Sequence, residues 1–314
     1  MADRRPYNIL VTGGAGFIGS HLVDALIERG ETVHVIDNLS AGKKENVNPK
    51  SIFHHIDIAT DGGQIEELFR KEHFDYVFHL AAMARIPECL EKPIRSFDVN
   101  VRATLYLLEM AKIYGVAGFV FSSSSSVYGE VEGKTFIGED TPLNPISMYG
   151  LHKLAAEQLV LQYAEFYGLK ASALRYFNVY GTKRQSEDGA YPNVFSSFNR
   201  DARQKGEITI FGDGLQRRDY IHVFDVVRAN TSFLETESAW GDVFNVGTGE
   251  THTVNEIAGY FHNAKASYQP ARVGDPRYSC AAIGKAFHKL GFRSSISFRD
   301  GAKIYLEDKG AGYV

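Results

Sequence analysis

The sequence predicts an α/β protein: a doubly wound parallel sheet, with a second, smaller α/β lobe that binds the other half of a reacting pair. Three observations predict it. Short apolar runs alternate with longer amphipathic segments through the first 174 residues, a glycine-rich turn joins the first run to the first such segment, and beyond Arg175 the alternation gives way to short elements between polar loops.

The elements follow in order. Residues 8–11, 32–36 and 51–55 are short apolar runs of strand length, and 17–29 and 65–71 between and after them carry helical periodicity, which is a βαβ rhythm. It continues through the run 76–80, the helical stretch 94–114, the run 118–121, the helical stretch 147–167 and the run 169–174. Loops rich in Gly, Asp and Asn at 181–190, 212–214 and 247–250 then separate short elements, as expected of a lobe over the carboxyl edge of the sheet. The expected division is 1–177 with about 220–248 in the sheet domain, and 178–219 with 249–314 in the smaller one. Five serines at 122–126 follow a buried run and precede Val127-Tyr128-Gly129, the pattern of a loop at a strand end.

Composition narrows the function classes. At 314 residues, 44% hydrophobic and 23% charged, the chain can bury a large core. A formal charge of −4 gives no polyanion-binding surface, so nucleic acid is not an expected partner. Cys89 and Cys280 are far apart and are expected to be free thiols in a reducing compartment. The polar start enters the first apolar run at once, leaving no signal peptide, and no apolar run approaches the ~20 residues of a membrane helix. A cytoplasmic location is expected, and no metal.

The turn after the first run reads Thr12-Gly13-Gly14-Ala15-Gly16-Phe17-Ile18-Gly19. Glycines at 13, 16 and 19 permit a tight turn, close approach of backbone to a pyrophosphate, and tight packing of helix on strand, the signature of a Rossmann dinucleotide site. Asp37 ends the second run, where a carboxylate accepts hydrogen bonds from both ribose hydroxyls and repels a 2′-phosphate, so NAD is expected rather than NADP. Tyr149 and Lys153, in Tyr149-Gly150-Leu151-His152-Lys153, are four apart near a helix start and share a face. A lysine cation beside a phenol, with a positive nicotinamide ring, is expected to depress the phenol toward neutrality, a shift worth ~4 kcal/mol at ~1.4 kcal/mol per unit.

With those residues, His79-Leu80-Ala81-Ala82, Asn100, Ser122–Gly129, Arg175–Gly181, Phe211–Asp225, Phe244–Gly249 and Arg272–Asp275, the chain resembles the extended short-chain dehydrogenases of the UDP-sugar 4-epimerase group over nearly its whole length. The resemblance implies NAD-dependent inversion of C4 in a UDP-sugar, with UDP-glucose/galactose and the N-acetyl pair both admitted. It implies Tyr149, Lys153 and Ser124 as the catalytic group. The cofactor would meet Gly13, Gly16, Phe17, Ile18, Gly19, Asp37, Asn38, Ser40 and Gly42. Asp57 and Ile58 would face the adenine, with Leu80, Ala81, Ala82, Asn100, Ser122, Tyr149, Lys153 and Tyr176 completing that site. The nucleotide and sugar would meet Ser124, Asn178, Asn193, Val194, Phe211, Arg218, Arg272 and Asp275. Ser279 would lie beside the sugar's 2-substituent, its small size leaving room for an N-acetyl group.

Residue chemistry sets alternatives aside. Arg218 and Arg272 are forked donors suited to phosphate, although Arg218 beside Asp219 is also the pattern of an ordinary ion pair. A 4,6-dehydratase needs an acid just after the serine loop's catalytic hydroxyl, where this chain has Ser125-Ser126. A 3,5-epimerase would carry a cysteine there, and relatives that only sense NAD lose the Tyr or Lys. Arg85, in the loop after the fourth run, either reads a sugar carboxylate, as in UDP-glucuronate epimerisation, or braces the diphosphate or a loop, and the second is preferred. The long helices 94–114 and 147–167, apolar on more than one face, point to a homodimer.

Overall fold

The computed structural model describes residues 4–131, 133, 136–187, 193–271 and 277–310. Seven parallel strands form one sheet. They are β1 (Asn8–Thr12), β2 (Thr32–Asp37), β3 (Ile52–His55), β4 (Tyr76–His79), β5 (Gly118–Ser124), β6 (Ala171–Tyr176) and a last strand, Val243–Val246. Their order across the sheet is β3, β2, β1, β4, β5, β6 and the last strand, so the direction of winding reverses between β1 and β4. That reversal opens a crevice at the carboxyl ends of the two strands, which is where such sheets bind ligands.

The alternation of side chains along each strand explains the two layers. Leu10, Val77 and Phe119 join one apolar cluster with α2 (Gly62–Glu72), α5 (Ala103–Ile113) and α6 (Met148–Tyr167), while Ile9, Val11, Val35, Phe78 and Val120 face the other way, onto α1 (Phe17–Glu28). Phe78, Phe119 and Phe121 have at most 1% of their surface exposed. Two short helices, α3 (Ile86–Glu91) and α4 (Pro93–Phe97), precede α5. The helical stretch expected over 94–114 is therefore present, but one turn of π-helix, Asp98–Arg102, joins α4 to α5. Such a turn inserts a residue and re-aims side chains, here that of the buried Asn100.

Beyond β6 the strand Asn178–Tyr180 pairs in parallel with Tyr220–His222 and carries the chain into the smaller lobe. There Glu207–Phe211 pairs with Lys265–Gln269, and the helices Val194–Lys205 and Phe298–Asp308 bury Phe195, Phe198, Phe298 and Tyr305 with Tyr180 in a separate apolar cluster. Arg217–Arg218 pairs with both His252–Thr253 and Tyr278–Ser279. Among the described residues no helix is long and apolar enough to cross a membrane.

Candidate active site

The dinucleotide side is built from the ends of β1, β2 and β4. Gly13 leaves β1 with φ +73° and donates its N–H to the Ile36 carbonyl at 2.8 Å. A Cβ at Gly13 would stand 2.7 Å from the Ala81 nitrogen, and one at Gly19 would run into the Gly13 carbonyl, so both positions exclude a side chain. No side chain caps α1 at Gly16, which leaves its first N–H groups for an anion. Asp37 is buried, its Oδ2 accepting the Ala15 N–H at 3.0 Å and its Oδ1 the Leu39 N–H at 2.8 Å. Leu39 adopts φ +58° in the turn where it gives that bond. Burial pushes the Asp37 carboxyl above its ordinary value, with the two N–H bonds pulling the other way. Each oxygen keeps lone-pair capacity, as a group that receives ribose hydroxyls must.

A cleft of ≈ 390 Å³ runs from this turn. Gly13, Gly16, Asp37, Asn38, Ser40 and Gly42 line it, with Asp57, Ile58, Leu80, Ala81 and Ala82. Phe17 and Ile18 open α1 beside it. Sequence reasoning missed Met83, Lys92 and Arg95, which also line the cleft. Arg95 pairs with Asp57, whose Oδ2 also accepts from Asn38 Nδ2 at 2.8 Å. A helical face of charges from 85 to 95 was the available signal. Arg85 sits on this cleft with them. The uncapped helix, the glycine cradle and the buried Asp37 together fit a dinucleotide diphosphate and a ribose with a free 2′-hydroxyl.

The expected catalytic pair, Tyr149 and Lys153, stands on the first turns of α6. Ser147 caps the helix, its Oγ accepting the Gly150 N–H at 3.1 Å. Lys153 is 3% exposed, donates Nζ to the Ser122 carbonyl at 2.7 Å, and lies 5.9 Å from the centre of the Tyr149 ring. Burial pushes the Tyr149 phenol up to about 12, against a hydrogen bond with Ser124, and pushes the Lys153 ammonium down to about 7. The expected depression of Tyr149 is thus not a property of the chain alone. Desolvation outweighs the Ser124 bond at Tyr149, and the same dry pocket disfavours the charged form of Lys153.

Other expected cofactor residues stand one layer back. Ser122 Oγ and the Tyr176 hydroxyl are 2.9 Å apart, and Tyr176 is further bonded to Asn230 at 2.8 Å, so this group holds the carbonyl that anchors Lys153. Asn100 clasps the Met83 backbone, accepting its N–H at 2.8 Å and donating to its carbonyl at 3.0 Å. Behind the serine loop, Ser123 Oγ donates to Glu157 at 2.6 Å, and Glu157 forms a two-bond pair with Arg175 at 2.6 and 3.0 Å. Both partners of that pair are buried and carry further bonds, with Arg175 also donating to the Tyr128 hydroxyl at 2.8 Å. A charged residue within an apolar helix or strand gave no sequence signal for it.

A second cavity of ≈ 200 Å³ lies in the smaller lobe, lined by Asn178, Asn193, Val194, Phe211 and Arg218 among the expected residues. Ser197, Thr209, Gln216 and Tyr220 line it too and were missed; Gln216 is two before Arg218, where strand alternation would place it on the same side. The ion pair between Arg218 and Asp219 is not how Asp219 is used. Its carboxylate accepts from the Thr248 N–H at 2.8 Å, Thr248 Oγ1 at 2.8 Å, the Gly249 N–H at 3.0 Å and the Ala281 N–H at 3.1 Å. Ser279 pairs with Arg218 across the strands, and its carbonyl accepts the Asp219 N–H at 2.7 Å. Arg272 and Asp275 lie outside the described residues.

Residues 9–247 match the model of the NAD dependent epimerase/dehydratase family. A putative UDP-glucose 4-epimerase of Methanocaldococcus jannaschii is 37% identical over 301 residues, covering 94% of this chain and 96% of its own. The crystal structure of a UDP-glucose 4-epimerase from Thermotoga maritima with UDP-glucose superposes with a TM-score of 0.90 at 43% identity, covering 96% of this chain and 98% of that one. That of a Thermus thermophilus UDP-glucose 4-epimerase with NAD gives 0.89 at 36%, covering 97% and 100%.

Proposed function

The chain belongs to the NAD dependent epimerase/dehydratase family, and from that premise we propose that it inverts C4 of a UDP-hexose, UDP-glucose/galactose or the N-acetyl pair, through a 4-keto sugar. It is an NAD-dependent epimerase. One observation carries the assignment of roles: Tyr149 hydrogen-bonds with Ser124 at the end of β5, while Lys153, one turn further along α6, is fixed to the Ser122 carbonyl of the same strand, with the dinucleotide cleft at the ends of β1, β2 and β4 and the lobe cavity in the chain that follows β6.

When bound, NAD supplies a positive ring beside the Tyr149 phenol and an acceptor for the hydride of C4. Ser124 would hold the C4 oxygen, and Tyr149 would take the proton of the C4 hydroxyl as the C4 hydride leaves and give it back to the same oxygen when the hydride is returned to the opposite face of C4. Lys153, fixed on the Ser122 carbonyl, sets the electrostatics of that phenol. Asn178, Asn193 and Arg218, with Arg272 and Asp275, grip the nucleotide diphosphate and its ribose, which leaves the sugar free to turn between the two half-reactions. Gly13, Gly16 and the start of α1 hold the dinucleotide diphosphate, and Asp37 the adenosine ribose.

Arg85 lines the dinucleotide cleft, which supports its role as a brace for a loop or a diphosphate over that of a carboxylate reader, and with it a neutral sugar over a uronate. We also propose a homodimer in the cytoplasm. Ile94, Phe97 and Leu151 are 79%, 47% and 48% exposed on α4 and α6, an apolar surface that a second copy would cover.

The test is incubation with UDP-glucose, UDP-GlcNAc and UDP-glucuronate separately, without added NAD, following each C4 epimer by NMR. UDP-galactose or UDP-GalNAc is expected to form. Turnover of the uronate alone, or of none, would overturn the proposal.

A further inference from the structure

His152 lies between the two catalytic positions of α6, three residues after Tyr149 and one before Lys153, yet it turns into the fold. It is 4% exposed. Its Nδ1 is 2.9 Å from Ser96 Oγ on α4, and the Phe97 ring meets it edge-on at 5.8 Å. Ser96 has no exposed surface, and its oxygen receives one amide hydrogen of Asn100 at 3.3 Å. The same amide grips both backbone groups of Met83, to whose carbonyl Cys89 Sγ also donates at 3.3 Å. Met83 is in the wall of the dinucleotide cleft.

Donor counting gives this chain of bonds a direction. Asn100 has only N–H to offer Ser96, so the Ser96 oxygen is an acceptor there, and we assign its single proton to His152 Nδ1, a stronger acceptor than the Cys89 sulfur that also meets this hydroxyl. The imidazole is therefore an acceptor at Nδ1, with its own proton on Nε2. Burial holds His152 below the ordinary imidazole value, which keeps that lone pair available at neutral pH.

We propose that His152 is a positioning residue for cofactor retention: through Ser96 and Asn100 it locks the Met83 wall of the dinucleotide cleft to the helical turn that carries Tyr149 and Lys153. The inference rests on NAD occupying that cleft. Without the Nδ1 acceptor, the enclosed Ser96 hydroxyl loses its partner and turns, Asn100 loses its fixed support, and the wall loosens where the cofactor is held. A role in packing alone would need only the volume of the ring and its contact with Phe97.

Three variants separate the two roles: His152→Ala, His152→Leu, which refills the volume without an acceptor, and His152→Asn, whose Oδ1 stands near the place of Nδ1. The measurements are NAD content after gel filtration, the rate of NAD release, and thermal unfolding to confirm that each variant is folded. His152→Ala and His152→Leu are expected to release NAD about tenfold faster than the wild type, the cost of one buried bond, with the KM for UDP-glucose unchanged at excess NAD. His152→Asn is expected to retain NAD as the wild type does. Wild-type retention in His152→Leu, or release by His152→Asn as fast as by His152→Ala, would overturn the inference. A wild-type protein that binds no NAD would instead overturn the reading of the cleft on which it rests.

Discussion

At Tyr149 and Lys153 one physical effect acts twice. The pocket is dry, so the phenol holds its proton and the ammonium is ready to give one up. In the proposed reaction the charge that would draw a proton from Tyr149 comes with the nicotinamide ring. The Lys153 shift has a measurable sign. In cofactor-free protein the Lys153 side chain, followed by NMR of labelled lysine, is expected to titrate near about 7; a midpoint at the ordinary lysine value would contradict it. The unfolded chain keeps this proton to ~10.4, so between about 7 and that pH the folded protein binds fewer protons. This group's contribution to stability consequently improves as pH rises from about 7 toward 10, and falls away again as the pH returns.

At the scale of elements, the strands and helices of the sheet were legible because burial of both faces writes apolar runs and helical stripes into the sequence. β1, β2, β4 and α1 fall within a residue or two of their expected bounds, although β5 and β6 run on to Ser124 and Tyr176, past the end of the apolar run. The π-turn at Asp98–Arg102 was not legible. It adds a residue to one turn while leaving the apolar spacing of the stretch almost unchanged, and its effect appears only in the aim of Asn100. Polar ties such as Glu157 to Arg175 and Asp219 to the Thr248 loop join residues far apart in the chain, so spacing carries no trace of them. The glycine turn, by contrast, was legible because its backbone demands are local. Gly13→Ala forces a side chain into a positive-φ position against the Ala81 nitrogen. A loss of about 1–3 kcal/mol in urea unfolding, together with loss of NAD binding, is expected; unaltered stability would mean that the turn yields more readily than its contacts indicate.

The whole molecule divides the labour between a rigid dinucleotide sheet and a lobe that gathers Asn178, Asn193, Phe211 and Arg218 from four separate segments. The family resemblance pointed to those residues, while Gln216 and Tyr220 emerged only from the folded lobe. The exposed apolar side chains of α4 and α6 add a statement about assembly. Sedimentation at micromolar concentration is expected to give a dimer, and a monomer alone would mean that Ile94, Phe97 and Leu151 face solvent in the working enzyme.

The account stands most directly on the Tyr149 hydroxyl. Replacing Tyr149 by Phe keeps the ring, its packing and the Lys153 anchor, and removes only the group that exchanges a proton with the sugar. Interconversion of UDP-glucose and UDP-galactose, followed by NMR, is expected to slow by about 10²–10⁴-fold while bound NAD stays at the wild-type level. Inversion at the wild-type rate in that variant would contradict the assignment of the proton to Tyr149.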